Sequence, residues 1–174
     1  MIAPVTINPK PQNDKPRLFI AIFGSLGGLI FIFGMLAERY SGVISLLGML
    51  LIVAAIAISV RYIMSYFVYE ITDADGEWLF VVSQYSGKRY ITLCRVGLRY
   101  VVSIEKQSAK NKKSKDLEYT RYAYIPTMMP ESYYVMTVIS RYEKAKISLQ
   151  LTDAMAEQLR LYAAEARELY VEEE

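Results

Sequence analysis

The chain has 174 residues, of which 53% are hydrophobic and 22% are charged, and its formal net charge is +2 at pH 7. One cysteine and no histidine exclude an intramolecular disulfide, a zinc site built from those residues and a nucleophile activated by histidine. No other catalytic or phosphate-binding motif is found. We therefore expect a protein that is not an enzyme and that binds no metal and no cofactor.

Two long apolar runs near the start of the chain predict a pair of membrane-spanning helices. They cover residues 18–37 and 42–60, and neither contains a charged residue. A helix of 20 residues is about 30 Å long, the thickness of the hydrocarbon core of a bilayer. Four residues separate the runs, so the pattern predicts a helical hairpin over residues 18–66. A cleaved signal peptide is the alternative for the first run, but the run is long for one and a second run follows directly.

Charges beside the two runs predict the orientation of the hairpin. Lys10, Lys15 and Arg17 precede the first run and Arg61 follows the second, whereas the turn between them holds one arginine and one glutamate. The positive-inside rule then places both termini in the cytoplasm, which makes the chain a multi-pass protein of the cytoplasmic (inner) membrane. Residues 1–17 are predicted to be a cytoplasmic tail and residues 67–174 a cytoplasmic domain.

The residues after the hairpin alternate between apolar and polar types, as half-buried strands do. Turn residues such as Gly76 and Gly87 separate the segments. Seven strands are predicted, at residues 67–72, 78–84, 89–95, 98–105, 119–125, 133–140 and 144–151. In the fourth, every second residue from Leu98 through Val102 to Ile104 is predicted to share one face. Seven short strands are typical of a small antiparallel sandwich or barrel.

The sequence period changes after Thr152, which is a good helix N-cap. From there an apolar residue recurs every three or four positions, at Met155, Leu159, Tyr162, Ala166 and Leu169. This spacing predicts an amphipathic helix of about 18 residues. Its apolar stripe is expected to pack on the core of the domain, and a stripe that binds a partner is the alternative.

Strands followed by one C-terminal helix resemble the pleckstrin-homology (PH) fold and, more specifically, the bacterial PH-like domains that follow two short transmembrane helices. The resemblance covers residues 66–170, in the order Tyr69-Glu70-Ile71-Thr72, a turn, residues 78–82, Gly87-Lys88-Arg89 leading into Ile91-Thr92-Leu93, and residues 98–104. It implies an α+β membrane protein, with a transmembrane hairpin before a seven-stranded antiparallel PH-like barrel or sandwich that a C-terminal α-helix caps. An up-and-down barrel of another kind is the alternative.

Four lysines in one polar segment are candidates for binding anionic lipid headgroups. They are Lys110, Lys112, Lys113 and Lys115, in a stretch from residue 88 to 121 that holds ten basic and three acidic residues. Near an anionic membrane surface each lysine contributes about 1 kcal/mol of attraction. The alternative is a solvated connection between strands.

Small residues and tyrosines supply two further candidates. Gly24 and Gly28, with Gly27 and Gly34 nearby, allow close packing of helices, within the hairpin or, alternatively, in a dimer. Eight of the fifteen tyrosines lie between residues 90 and 142. They suit half-buried strands, and if they are exposed they indicate a surface for a protein partner or for self-assembly at sheet edges.

These features together predict a membrane-anchored, non-enzymatic binding or assembly module at the cytoplasmic membrane surface. Its expected partners are the bilayer, anionic lipid headgroups, and a second copy or another membrane protein. Nucleic acid is not expected, because the basic residues are local and a membrane tether restricts access. The alternative function is that of an accessory subunit in a larger membrane transporter or enzyme complex.

Overall fold

The computed structural model describes residues 2–37, 40–74, 76–108, 118–141 and 143–171. The chain divides into two compact units. The hairpin unit is Gln12–Tyr66, and the β unit combines Met1–Pro11 with Phe67–Glu174. The fold is α+β, with two long apolar helices, eight described strands in two sheets and a C-terminal helix.

The hairpin unit contains the two helices that the apolar runs predict. Helix α1 is Lys15–Leu36 and helix α2 is Ser41–Tyr62, each of 22 residues. Both helices are long and apolar enough to cross a membrane. Pro16 lies in the first turn of α1, where a missing N–H costs no helical hydrogen bond.

Glycines form the contact between α1 and α2. A Cβ atom built on Gly27 would lie 2.9 Å from the carbonyl oxygen of Gly48, and one on Gly34 would lie 2.6 Å from the amide nitrogen of Ser45. A Cβ atom on Gly48 would lie 2.5 Å from the amide nitrogen of Phe31. Any side chain at these positions would push the helices apart, so the close approach depends on glycine.

Gly24 and Gly28, the two glycines that the sequence predicts for helix packing, do not lie at this contact. A Cβ atom on Gly24 or Gly28 would meet no atom within 4 Å. The contact within the hairpin therefore uses Gly27 and Gly34 instead of Gly24 and Gly28. Successive residues of a helix point about 100° apart, so Gly27 and Gly28 face different directions. The alternative role of Gly24 and Gly28, close packing in a dimer, stays a prediction.

The strands of the β unit form two four-stranded sheets, each named here in spatial order. The first sheet consists of β1 (Val5–Ile7), β2 (Ser65–Ala74), β3 (Glu77–Ser86) and β4 (Arg89–Gly97). The second consists of β5 (Val101–Ser108), β7 (Ser132–Ile139), β8 (Lys144–Leu149) and β6 (Thr120–Tyr124). A short 3-10 turn, Leu98–Tyr100, leads from β4 into β5.

Glycines at positive φ close the two hairpins of the first sheet. Gly76, at φ +84°, follows β2, and its N–H donates to Oδ1 of Asp73 at 3.1 Å. Gly87, at φ +61°, connects β3 and β4. Both turns were predicted from these residue types, because glycine adopts this backbone conformation without a steric penalty.

Two features of the sheets differ from the prediction, the number of strands and one strand direction. Eight strands are described instead of seven; they form two separate sheets without a closed barrel among the described residues, which leaves the sandwich of the two predicted arrangements. Strand β6 pairs with β8 in parallel, with Tyr122 opposite Ile147, so the set is not wholly antiparallel. Alternation of apolar and polar residues specifies which face is buried but not the direction of the neighbouring strand, which explains the error.

The added strand is β1, in the segment that was predicted to be a tail. It pairs antiparallel with β2, with Val5 opposite Ile71 and Ile7 opposite Tyr69. Ile2 and Ile7 are buried and belong to the core cluster of the β unit. Three residues are too few for a periodic signal, and the partner strand is distant in sequence.

The core lies between the two sheets and under helix α3 (Asp153–Val171). Thr152 caps this helix as predicted, since its Oγ1 accepts from the N–H of Met155 at 3.3 Å. The fully buried side chains with the largest volumes include Tyr69, Phe80, Leu98, Met136, Ile147, Leu149 and Leu159. The stripe of α3 therefore packs on the core, although its last predicted member, Leu169, is exposed.

The fourth predicted strand also changes phase. Leu98 and Ile104 are buried, but Val102 is exposed and Val101 is buried in its place. The 3-10 turn and a register shift between Val101 and Ser103 interrupt the regular alternation. The prediction that every second residue shares one face is wrong for this reason.

Candidate binding cleft

A cleft of about 390 Å³ opens in the β unit between β4 and the second sheet. Its walls come from β4, the 3-10 turn, β6, β7 and β8, and most of them are apolar or aromatic. Ile147 and Val138 are buried core residues, so the floor of the cleft is continuous with the core. Small-molecule pockets in proteins have volumes of about 300–1,000 Å³, and this cleft lies in that range.

The position of the cleft follows from the order of the strands. β4 is the last strand of the first sheet and β6 is the last strand of the second. No described strand joins these two edges, so the side of the sandwich remains open between them. Tyr122 and Tyr124 pair with buried residues of β8 in the parallel ladder, which places their rings at the inner face of the sheet.

Two tyrosines carry the polar groups at the mouth of the cleft. The rings of Tyr122 and Tyr124 stack with centroids 6.2 Å apart. The Tyr122 hydroxyl donates to Oε1 of Glu143 at 3.0 Å, and this hydrogen bond, with the charge of the carboxylate, raises the pKa of Tyr122. Burial, together with nearby groups that include Glu143, raises the pKa of Tyr124 to about 12. Both phenols are therefore neutral hydrogen-bonding groups at physiological pH.

Cys94 lies in the wall of the cleft as a protonated thiol. Burial, and to a lesser degree the negative charge of Glu143, raises its pKa to about 11. Because the thiolate is the reactive form of cysteine, this thiol is a weak nucleophile near pH 7. Among the described residues, no group of three or more acidic or cysteine side chains is placed to hold a metal ion. The described lining of the cleft therefore offers two neutral phenols and a protonated thiol.

A buried network behind the cleft fixes the end of β6. The hydroxyl of Tyr69 donates to the carbonyl oxygen of Tyr124 at 2.5 Å and accepts from the N–H of Gln150 at 3.3 Å. Burial raises the pKa of Tyr69. The side chain of Gln150 donates in turn to the carbonyl oxygen of Lys10 at 2.6 Å. Tyr69 of β2 thus holds β6 directly, and Gln150, which directly follows β8, connects this network to the N-terminal segment.

The predicted site residues have different outcomes. Lys110, Lys112, Lys113 and Lys115 lie outside the described residues, so their contact with lipid stays a prediction. Gly24 and Gly28 lie in the hairpin unit. Among the described candidates, the tyrosines lie at the cleft: Tyr100, Tyr122 and Tyr124 of the Tyr-rich region line it.

Sequence analysis missed Cys94 and Glu143 as members of one site. They are distant in sequence, and no motif connects them; Cys94 lies on the edge strand β4 and Glu143 directly before the inner strand β8, and the packing of the two sheets brings them to one cleft. Compared with protein-family models and with curated proteins, the chain matches none.

Proposed function

We propose that this protein is a membrane-anchored, non-enzymatic binding module. In this proposal the hairpin unit anchors the chain in the cytoplasmic membrane, and the β unit binds a cytoplasmic ligand in the cleft. The observation that carries the binding role is the cleft itself: an open cleft of about 390 Å³ whose lining combines apolar and aromatic side chains with polar groups such as the hydroxyl of Tyr122 and the carboxylate of Glu143. That combination is characteristic of binding sites.

The surface of the hairpin unit supports the anchoring role. Large apolar side chains face outward along both helices, among them Leu29, Phe33 and Leu50, and Phe33 is 66% exposed. In water, each square ångström of such surface costs about 25 cal/mol. In a bilayer the same surface is in contact with lipid tails, and the cost disappears.

We also propose that the β unit is PH-like. The order of the elements supports this assignment, since two four-stranded sheets precede a C-terminal helix that packs on their core. The parallel pairing of β6 with β8 and the additional strand β1 depart from the seven-stranded antiparallel arrangement that the resemblance implies.

Labelling of single cysteines in intact cells tests the anchoring and its orientation. Ser41→Cys and Ser108→Cys are made separately in a Cys94→Ser background. An impermeant maleimide should label residue 41 and leave residue 108 unlabelled, because both termini are expected in the cytoplasm. Labelling at residue 108 alone would reverse the orientation, and release of the protein by alkaline carbonate would remove the anchor from the proposal.

Site-specific photo-crosslinking in native membranes tests the cleft. A photoreactive amino acid replaces Tyr122 at the mouth of the cleft or, as the matched control, Leu161, which is 62% exposed on α3 and does not line the cleft. We expect a discrete adduct from position 122 that is missing from position 161. The same adducts from both positions would contradict binding in the cleft.

The open face of α1 favours a second candidate function, that of an accessory subunit in a larger membrane complex. Gly24 and Gly28 leave room beside the helix for another transmembrane helix to approach closely. Gly24→Leu and Gly28→Leu should then release the protein from a complex of higher mass on native gels of detergent extracts. An unchanged mass for both variants would count against this candidate.

A further inference from the structure

The outer edge of β4 is open in the described part of the chain. β4 has nine residues, it pairs with β3 on one side, and no described strand pairs with its other side. Tyr90 and Ile91 on this strand are 63% and 68% exposed. Natural proteins usually shorten, charge or cover such an edge, because its free N–H and C=O groups pair readily with another chain.

The open edge runs directly into the cleft. The ladder between β3 and β4 shifts register between Val82 and Ser83, which leaves Leu93 as an extra residue in β4. The carbonyl oxygen of Leu93 accepts from the hydroxyl of Tyr124 at 3.4 Å, well beyond the usual O–H···O distance of about 2.7 Å. A main-chain N–H from an incoming strand, at about 2.9 Å, would satisfy that oxygen better.

The charges along the edge indicate what kind of strand fits. Lys88, Arg89 and Arg95 are exposed at or next to β4, and Arg95 also borders the cleft. A second copy of this chain would bring the same three positive charges to the interface, and like charges on paired strands are destabilising. Glu143 is the acidic residue in the cleft wall, and the hydroxyl of Tyr122 already donates to it. The edge is therefore complementary to an acidic strand.

We propose that an extended segment of a partner protein pairs with the outer edge of β4. The segment has an apolar middle and acidic flanks: one apolar side chain enters the cleft, and the acidic residues lie beside Lys88, Arg89 and Arg95. Main-chain hydrogen bonds supply affinity and the cleft supplies specificity, as in other cases of strand addition. This proposal rests on the proposed binding function and names the partner of the same cleft.

Binding of synthetic peptides to the full-length protein in detergent micelles tests the proposal. The probe is a fluorescent peptide as long as β4, with valine and threonine alternating in the middle and two glutamates at each end. One control peptide carries lysines in place of the glutamates, and the other is N-methylated on alternate middle residues. We expect fluorescence anisotropy to give a Kd at least about tenfold lower for the probe than for either control. The lysine peptide loses the attraction to the basic residues of the edge, and the N-methylated peptide loses main-chain hydrogen bonds.

Charge reversal on the protein gives the reciprocal measurement. Arg95→Glu should raise the Kd of the acidic probe at least about tenfold and lower that of the lysine peptide. The matched variant Lys10→Glu changes the net charge equally at an exposed residue outside the cleft, and it should leave both values unchanged. Arg89→Glu, at the other end of β4, serves as the second variant if Arg95→Glu has an altered circular dichroism spectrum.

Three results would overturn the strand proposal. Equal binding of the N-methylated peptide would exclude main-chain pairing, and equal binding of the lysine peptide would exclude acidic recognition. Binding of none of the peptides, with a Tyr122 crosslink that persists, would leave the cleft as a binding site and remove the strand as its ligand. Loss of that crosslink as well would remove the proposed function itself.

Discussion

The hairpin unit and the β unit bury opposite kinds of residue. The buried positions of the two apolar helices are small residues, Gly27, Gly34, Gly48 and Ala55 among them, and the large side chains face outward. The β unit buries large side chains such as Phe80. A core of large residues is stabilised by removal of apolar surface from water, whereas in a bilayer, whose interior is already apolar, a seam of small residues would be stabilised by close contact between helices. The sensitivity to mutation should therefore be opposite in the two units.

Truncation of a large core residue in the β unit should have the greatest effect. Leu159 of α3 is 1% exposed, and removal of a buried leucine side chain typically costs about 2–5 kcal/mol. Leu159→Ala should lower the urea midpoint of the full-length protein in detergent. The fluorescence of Trp78, the single tryptophan, reports on the β unit, because this residue packs against its core.

Leu161 provides the matched control for that measurement. It lies two residues away on the same helix and is 62% exposed, so Leu161→Ala should leave the free energy of unfolding within about 0.5 kcal/mol of the wild-type value. Equal shifts for the two variants would contradict the assignment of the α3 stripe to the core.

In the hairpin unit, enlargement should be the damaging change. A side chain at Gly48 collides with the backbone of Phe31, and overpacking of this kind costs about 1–3 kcal/mol. Gly48→Leu should widen the distance distribution between spin labels on Leu18→Cys and Val60→Cys in a Cys94→Ser background. Gly28→Leu adds the same volume where no atom lies within 4 Å, and it should leave the distribution unchanged. A widened distribution for both variants would contradict the contact between α1 and α2 at Gly27, Gly34 and Gly48.

Removal of one buried hydroxyl tests the network behind the cleft. Tyr69→Phe leaves the carbonyl of Tyr124 and the N–H of Gln150 without this partner, which should cost about 1–3 kcal/mol. Tyr90→Phe removes a hydroxyl from an exposed ring and should cost little. The same Trp78 fluorescence measurement applies, and a Tyr69→Phe variant as stable as wild type would show that the network adds nothing to stability.

The smallest effect is expected at the start of α3. Hydrogen bonds from Lys106 and Tyr134, with the charge of Lys106, hold the pKa of Asp153 below its usual value. A carboxyl group with a lowered pKa stabilises the fold above its unfolded pKa of about 3.9, and the contribution is lost as the pH falls through the folded value. Between pH 5 and pH 3, the urea midpoint should therefore fall slightly more for wild type than for Asp153→Asn. An equal fall of the urea midpoint in the two proteins would mean that groups other than Asp153 cause the acid sensitivity.

The elements that depend only on neighbouring residues were predicted correctly from the sequence. Both apolar helices, the turns at Gly76 and Gly87, and the Thr152 cap are each specified by neighbouring residues, and the structure contains all of them. The pairing of β1 with β2 and the parallel direction of β6 depend on partners far away in sequence, and no periodicity records them.

The cleft escaped prediction for the same reason. It exists because the edge strands of two sheets are left facing each other, and Cys94 and Glu143 meet there only after both sheets have formed. The abundance of tyrosine in the predicted strands indicated the right residue type for a binding surface. It did not distinguish Tyr122, at the mouth of the cleft, from Tyr90 on the exposed surface of β4.

The pairing of Ile7 with Tyr69 has a consequence for biosynthesis. β1 leaves the ribosome before both apolar helices, yet its partner strand follows them, so β1 has to wait until the whole hairpin has been translated. If the helices enter a bilayer, the sheet forms only when β1 and β2 emerge on the same side, which requires an even number of crossings. A nascent chain with one helix inserted and the other stalled could not complete its first sheet, so folding of the β unit would report that insertion had finished.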